Sequence, residues 1–373
     1  MKNKFLASCS LALGIMIVSC SSNSGTESTS TVPTDDTVLA DSTVPLNMEL
    51  EESVTLLAYD SFTPSEGIFD AFTAATGTKV NVVLGGDAGE LVSKAILTAG
   101  KPEGDVLWGV DNTLSSRAIE GDIFEQYTSA NTTSMSDDVT SLIAPDNVLT
   151  PVDTGDVCVN YDKAWFEKEN IEPPASLADL IKPEYKNLLV TQNPNTSSPG
   201  LAFLLATIAK FGENSWQDYW SSLRDNGVKI VDGWTQAYTI DFSGSSGKGD
   251  YPLVVSYGSS PPAEVVFSDP PIAEPPTGVI ESTCFRQVEF AGVLRGAKSP
   301  VAARALVDYL TSEAFQTDLP LTLFVYPVNT KVELPEVFTK FAVKPLNPLA
   351  LPAKDIEENR TKWIELWTSA ALR

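Results

Sequence analysis

The hydrophobic and polar positions from residue 53 onward alternate between a strand-like and a helix-like pattern. Short apolar runs predict strands at residues 53–60, 79–86 and 104–111. Apolar residues at helical spacing predict helices at residues 65–77, 88–100 and 113–122. This strand–helix alternation is typical of a parallel sheet covered by helices on both faces.

A second unit repeats the alternation. It predicts strands at residues 187–193, 228–233 and 251–260, and helices at residues 199–212 and from Trp234 onward. Pro199 suits the first turn of its helix. Two more strand-like segments, near residues 152–161 and 282–290, connect the units, and further helices are predicted at residues 299–319 and within 353–373.

The chain therefore leaves one lobe, builds a second lobe and returns to the first. The predicted boundaries are residues 53–154 for lobe one with 286–325 returning to it, 155–285 for lobe two, and 326–373 for a C-terminal helical segment that packs on the lobes. Two α/β lobes joined by more than one crossing strand imply a hinge and a cleft. Ligands of open α/β sheets bind outside the carboxyl ends of the strands, which places the predicted site in that cleft.

The first 52 residues have a different character. Lys2 and Lys4 precede an apolar stretch of signal-peptide length that ends in IVSC, which resembles a bacterial lipobox. The resemblance implies cleavage after residue 19 and lipid attachment at Cys20, so residues 1–19 are predicted to be a lipoprotein signal peptide. Residues 20–52 are rich in Ser, Thr and Asp and predict a disordered tether. We therefore expect an extracytoplasmic protein that is held at the membrane by this lipid anchor alone.

Composition narrows the possible functions. The formal net charge is −24, from 49 acidic and 25 basic residues, and such a surface disfavours nucleic acid and anionic lipid. The sequence contains no histidine, which removes Ser–His–Asp and Cys–His catalysis and every histidine-ligated metal site. We expect a monomer that is not an enzyme and that carries neither cofactor nor metal ion.

Two cysteines remain after the signal peptide and the lipidated position are set aside. Cys158 and Cys284 lie in strand-like segments of a chain predicted to fold in an oxidising compartment. We predict that they form a disulfide bond; two unpaired buried thiols are the alternative.

Polar and aromatic residues follow the predicted strands of both lobes, and these positions converge on one cleft. They are Tyr59, Asp60, Ser61, Asp87, Asp111 and Asn112 in lobe one, and Thr196, Ser197, Ser198, Trp234, Tyr257, Ser259 and Ser260 in lobe two. Lobe one offers carboxylates for a cation, whereas the helix start in NTSSPG offers backbone N–H groups for an anion. The aromatic side chains could stack on a flat or cationic ligand. Each residue also has a simpler interpretation, as a helix cap or as part of the core.

Six motifs, in this order along the chain, resemble thiamine-binding proteins of ABC transporters. They are LLAYDSF, VLWGVDN, NTSSPGLAFLL, DGWTQAY, LVVSYGSSPP and FVYPVN. The resemblance covers roughly residues 53–373 and implies the two-lobe fold of type II periplasmic binding proteins. It also implies that the ligand is thiamine or a phosphate ester of it, and that the partner is a membrane permease.

The resemblance assigns roles to individual residues. Tyr59 and Tyr257 match aromatics around the thiamine rings, and Asp87 matches a carboxylate that contacts the cation. Ser197, with Gly200 in the same motif, and Trp234 and Thr235 match the phosphate side. Phe324 stands where the resemblance suggests tryptophan, beside Tyr326, and the tryptophan expected shortly after YDSF is absent.

Two other classes of function remain open. Asp60, Asp87 and Asp111 would also suit a polyamine, whereas SYGSS supplies one tyrosine rather than the adjacent pair that a ferric site would use. A secreted lipoprotein enzyme is the more distant alternative, since the sequence offers no nucleophile–base pair that we can name.

Overall fold

The structure, a computed structural model, describes residues 50–141, 148–245 and 247–373. The predicted signal peptide, Cys20 and the tether up to residue 49 lie outside the described residues. Glu51, near the end of the predicted tether, is already fixed to the folded body, since its carboxylate accepts the backbone N–H groups of Val301 and Ala302 at 3.4 and 2.9 Å. Within the described ranges, no helix is long and apolar enough to cross a membrane.

One mixed sheet of nine strands runs through the described part of the chain. The strands are β1 (Ser53–Ala58), β2 (Lys79–Leu84), β3 (Val106–Asp111), β4 (Thr150–Asp162), β5 (Leu189–Gln192), β6 (Lys229–Val231), β7 (Leu253–Tyr257), β8 (Thr277–Val293) and β9 (Tyr326–Pro327). Their order is β2-β1-β3-β8-β4-β7-β5-β6, and β9 pairs with β4. The pairs β2–β1–β3 in lobe one and β6–β5–β7 in lobe two are parallel, which confirms the α/β fold of both lobes.

Helices cover the sheet. In chain order they are α1 (Asp70–Thr76), α2 (Ala88–Leu97), α3 (Ser115–Glu120), α4 (Asp137–Thr140), α5 (Lys163–Glu169), α6 (Ser198–Phe211), α7 (Trp216–Asp225), α8 (Pro261–Val266), α9 (Pro300–Leu310), α10 (Glu313–Gln316), α11 (Leu319–Thr322), α12 (Glu336–Phe341) and α13 (Ala353–Leu372). Short 3₁₀ helices lie at Ala130–Ser134, Leu177–Ile181 and Pro183–Tyr185, and a π-helix at Gln236–Asp241.

Two predicted helices are shorter than the sequence pattern suggests. The helix predicted from residue 65 begins only at Asp70, because Gly67 has a φ of 78°, which an α-helix does not allow. The helix predicted over residues 299–319 is wrong as one element. It breaks after α9 because the Ser312 hydroxyl caps a new helix by accepting the Phe315 N–H.

The two crossing strands form the hinge between the lobes. Strands β4 and β8 pair antiparallel from Thr150 to Asp162, so the same two strands belong to both lobes. Their register shifts between Val157 and Val159, and the disulfide between Cys158 and Cys284 joins them at this shift with a Cα–Cα distance of 4.1 Å. The predicted disulfide is therefore confirmed.

Helix α6 places one side of the cleft. Its residues from Ser198 to Ile208 are buried beneath α7 and against the sheet, as expected for a helix that is apolar around its circumference. Gly200 lets the helix start approach β5, since a Cβ at this position would lie 2.6 Å from the carbonyl oxygen of Gln192. This contact fixes Ser198, at the beginning of α6, next to the end of β5.

The C-terminal helix α13 contacts α7 of lobe two and α3 of lobe one. Trp367 packs edge-to-face against Trp220 with ring centroids 5.6 Å apart, and Arg224 donates to the carbonyl oxygen of Ala370 at 2.8 Å. Helix α13 thus packs on helices from both lobes.

Candidate functional site

A cavity of about 1180 Å³ lies where the strand ends of the two lobes meet the crossing strand β8. Many of the residues predicted for the site line it together: Tyr59, Asp60, Ser61, Asp87, Ser198, Trp234, Thr235, Tyr257, Ser260 and Phe324. Because these residues come from both lobes, a ligand here would contact both sides of the hinge.

Two tyrosines from opposite lobes line the cavity. Tyr59 lies against Gly109 and Tyr257 lies against Gly155, and a Cβ on these glycines would approach the rings to 2.3 and 3.2 Å. The Tyr59 hydroxyl donates to Glu289 at 3.0 Å. Burial raises the pKa of both tyrosines well above the ordinary value, and the Glu289 carboxylate raises them further. Both hydroxyls are therefore neutral and can present polarisable ring faces to a ligand.

Trp234 forms the lobe-two wall. Its indole stacks on Tyr238 with centroids 5.0 Å apart and planes inclined by 10°, and its Nε1 donates to Ser256 at 2.9 Å. Tyr238 is itself buried and donates to Glu264 at 2.9 Å. Tyr238 thus supports the Trp234 ring and fixes its orientation, and it also lines the cavity.

Asp87 connects the two lobes across the mouth of the cavity. It caps α2 by accepting the Ala88 N–H at 2.6 Å, and its second oxygen accepts the Trp234 N–H at 2.9 Å. Burial raises the pKa of Asp87 to about 6, and the N–H donated by Trp234 opposes that rise. At neutral pH Asp87 is therefore mainly ionised, and its carboxylate already accepts the backbone N–H of Trp234 in lobe two.

Two further contacts close the same mouth. The Glu90 N–H donates to the carbonyl oxygen of Thr196 at 3.1 Å, and the Thr235 hydroxyl donates to Asp60 at 3.2 Å. Gly89 makes this approach possible, because a Cβ there would lie 2.6 Å from the Thr196 oxygen. The structure therefore shows the lobes in contact, with the cavity behind that contact.

Carboxyl groups dominate the charge of the cavity. The acidic residues of the lining are Asp60, Asp87, Asp162, Glu264, Asp269 and Glu289, whereas its described basic residue is Lys248. In the described part of the chain, no group of three or more acidic or cysteine side chains is arranged to hold a metal ion. The arrangement favours an organic cation with flat apolar surface over an anion or a metal ion.

The model of the bacterial extracellular solute-binding proteins matches residues 103–345. The chain belongs to this family. Its members are transport components rather than enzymes, and this solute-binding protein has the extracytoplasmic, substrate-binding role of the family in ABC transport.

Individual relatives agree with the fold and with the motifs. This solute-binding protein is 27% identical over 339 residues to a thiamine-binding periplasmic protein of Brucella suis, covering 87% of this chain and 94% of that one. The thiamine-binding periplasmic protein of Escherichia coli is 28% identical over 330 residues, covering 86% and 94%. A solved periplasmic thiamin-binding protein superposes with a TM-score of 0.75 at 26% identity, covering 86% and 96%. The resemblance and the type II binding-protein fold predicted from the sequence are confirmed.

Some predicted site residues of this solute-binding protein lie outside the cavity lining. They are Asp111, Asn112, Thr196, Ser197, Gly200, Ser259 and Tyr326. Asn112 fixes β8 by accepting the Val288 N–H at 2.9 Å, and Thr196 bonds to the carbonyl oxygen of Asp232. Tyr326 packs edge-to-face on Phe338 at 4.9 Å.

Ser197 is the buried N-cap residue that precedes α6, and Ser259 is buried in the turn after β7. Phe324, by contrast, lines the cavity with a φ of 54° and packs against Phe267 with centroids 5.5 Å apart.

Glu289 is one of the lining residues that the sequence interpretation missed. It lies on β8, in the run CFRQVEFAGV, where a single acid interrupts a buried strand. The signal was present, because a carboxylate within an apolar strand is rarely buried without a purpose. The interpretation rested on residues that follow strands, whereas Glu289 lies within a crossing strand.

Proposed function

We propose that this protein captures thiamine, or a phosphate ester of it, in the cavity between its lobes and delivers it to an ABC transporter permease. The observation that carries the proposal is the combination of two neutral tyrosines, Tyr59 and Tyr257, with the Glu289 carboxyl in the lining of one cavity. Thiamine is flat and carries a permanent positive charge on one ring, so it can use both features. Relatives that are named for thiamine support the same ligand.

The phosphate side favours the unesterified vitamin. Ser198 and the helix start at Trp234 offer hydroxyl and N–H donors, but Asp87 already accepts the Trp234 N–H. A phosphate group at this position would compete with that carboxylate for the donor. We therefore expect thiamine to bind at least as tightly as its diphosphate at neutral pH.

A polyamine is the second candidate, because Asp60, Glu264 and Glu289 distribute acidic groups along one cavity. The aromatic side chains of the cavity could contact a flexible polyamine, but they suit a rigid, flat ligand equally well. The proposal further includes a monomer anchored through lipidated Cys20, an absence of catalysis and of any cofactor, and closure of the lobes around the ligand.

Calorimetric titration of residues 49–373 with thiamine, its phosphates and spermidine tests the proposal. We expect heat with thiamine at micromolar concentrations and little with spermidine. Absence of heat with every thiamine species, at ligand concentrations far above micromolar, would overturn the thiamine assignment. Strong heat with spermidine alone would indicate that the ligand is a polyamine.

Tryptophan fluorescence locates the ligand within the protein. Trp234→Phe should remove most of the quenching by thiamine and weaken binding, because Trp234 lines the cavity. Trp363→Phe is the matched control, since Trp363 is buried and bonds to Glu213 without lining the cavity. Equal quenching losses in the two variants would remove Trp234 from the binding site.

A further inference from the structure

Three carboxyl side chains stand in one row across the middle of the sheet. Glu289 on β8 is in register with Asp111 on β3 and with Asp153 on β4, so the three residues occupy neighbouring positions on adjacent strands. We call them the carboxyl row. Like charges directly opposite each other on paired strands destabilise a sheet, so this arrangement is unfavourable unless something neutralises it.

Burial makes the row still less favourable as three charges. Asp111, Asp153 and Glu289 are 0, 1 and 5% exposed. One carboxylate oxygen of Asp111 and one of Asp153 have no hydrogen-bond partner. Buried carboxylates on adjacent strands would repel one another, and this repulsion favours a proton held on one of them.

The surroundings of the row supply hydrogen bonds but no countercharge. Tyr59 donates to one oxygen of Glu289 at 3.0 Å, and the Gln287 amide donates to the other at 3.3 Å. The Gln287 side chain is fully buried, yet its own amide oxygen has no partner. Of the three carboxyl side chains, Glu289 alone lines the cavity, so a ligand would reach the row at that side chain.

The titratable groups that face the row are themselves neutral or acidic. They are Tyr59 at the end of β1, Tyr257 at the end of β7, and Asp87 at the start of α2. Arg286, on the same strand, is engaged with Asp156 at 2.8 Å, and Lys248 lines the cavity without acting on the row. Burial, followed by repulsion from Asp153 and Asp111, raises the pKa of Glu289. Burial is also the main cause that raises the pKa of Asp153, and it raises that of Asp111 to about 6.

We propose that Glu289 receives the positive centre of the ligand and that the carboxyl row releases a proton to solvent when this cation binds. The proposal rests on the proposed function and specifies it: the row selects a cationic ligand by exchanging one positive charge for another. One carboxyl O–H bond breaks, its proton passes to water, and the negative charge left behind pairs with the ligand. No electron is transferred.

The sign of the pH dependence follows from this exchange. Below the pH at which the empty row loses its proton, each binding event must displace that proton, so affinity falls as pH falls. For one proton the affinity changes by up to about tenfold per pH unit. A neutral ligand of the same shape would show no such dependence.

Calorimetry of thiamine binding near pH 7 in phosphate and in Tris tests the exchange, because the two buffers take up a proton with different enthalpies. We expect the apparent heats to differ by the amount that corresponds to about one proton released per ligand. Glu289→Gln should weaken binding by tenfold or more and abolish the buffer difference. Glu125→Gln is the control, because Glu125 forms an ion pair with Arg304 and does not line the cavity. This variant should retain the wild-type affinity and the difference between the two buffers. Equal heats in the two buffers for the wild type would overturn the inference while leaving thiamine binding intact.

The ligand-free protein gives a second measurement that does not depend on thiamine. Carboxyl carbon NMR should show a group that keeps its proton above about pH 6, and Glu289→Gln should remove or shift this titration. If every carboxyl of the ligand-free protein titrates below about pH 5, the row stores no proton and the inference fails, even if the ligand is thiamine. If the titration is present and thiamine produces no heat, the proposed function fails while the proton in the row is confirmed.

Discussion

Gly89→Ala should hold the cleft open without harming the fold. Gly89 lies inside α2 with no left-handed conformation to preserve, so the helix accepts alanine and gains about 1 kcal/mol of helix propensity. In the closed arrangement the new Cβ would lie 2.6 Å from the oxygen and 2.7 Å from the carbon of the Thr196 carbonyl. Both atoms belong to the backbone of the opposite lobe, so no side-chain rotation relieves the contact.

The magnitude combines two effects. Overpacking at a rigid contact typically costs about 1–3 kcal/mol. Displacing Thr196 also weakens its 3.1 Å hydrogen bond from the Glu90 N–H, a loss of about 1 kcal/mol. Closure should therefore become less favourable by about 2–4 kcal/mol, and thiamine affinity should fall by roughly 30-fold to several-hundred-fold.

The assay compares calorimetric affinity, thermal stability and the radius of gyration from small-angle scattering. Gly89→Ala should bind weakly, unfold at the wild-type temperature or slightly above it, and remain more extended with ligand. Gly77→Ala should show the opposite pattern. That glycine ends α1 at a φ of 77°, and a Cβ there would meet nothing within 4 Å, so alanine should cost about 1 kcal/mol of stability and leave affinity unchanged. Wild-type affinity in Gly89→Ala would show that the bound state does not make the Gly89–Thr196 contact.

Two other predictions concern charge and anchoring. Asp111→Asn should stabilise the ligand-free protein at pH 7 by about 3 kcal/mol, because burial raises the pKa of Asp111 from 3.8 to about 6 and the folded state therefore binds the proton more tightly than the unfolded state. This gain in stability should shrink as the pH falls through 6 towards 4. Equal stabilisation at pH 7 and pH 4.5 in thermal unfolding would contradict the buried-charge argument. Cys20→Ala should transfer the full chain from the membrane fraction to the soluble extracytoplasmic fraction, as measured by immunoblotting. Retention of the variant in the membrane fraction would exclude lipid attachment at Cys20 as the sole anchor.

The sequence predicted the alternation of strands and helices because each lobe repeats a simple periodicity. The segments that became β1, β2 and β3 are short apolar runs, and α6 is a long apolar helix with Pro199 in its first turn. The predicted pairing of Cys158 with Cys284 followed from elimination rather than from distance, and the structure confirmed it. These features depend on local pattern or on residue counts.

Other features depend on contacts that local pattern does not contain. Helix α7 was not anticipated, and its burial rests on Trp220 packing against Trp367, which lies far along the chain. The carboxyl row was found only in part, as Asp111, because its existence depends on the strand register that places Glu289 between β3 and β4. Asp87 was predicted as a ligand contact, yet its bond to the Trp234 N–H depends on how closely the lobes approach.

Strand β8 has a consequence for the order of folding after export. Lobe one needs β8 beside β3, and lobe two needs it beside β4, so a chain that emerges N-terminus first can complete neither lobe until residue 293 has crossed the membrane. Such long-range strand pairing is slow to form. Until then Asp111 and Asp153 have no Glu289 between them. Insertion of β8 would therefore be the step at which the nascent protein takes up a proton from its surroundings, so the acidity outside the cell should influence how readily folding is completed.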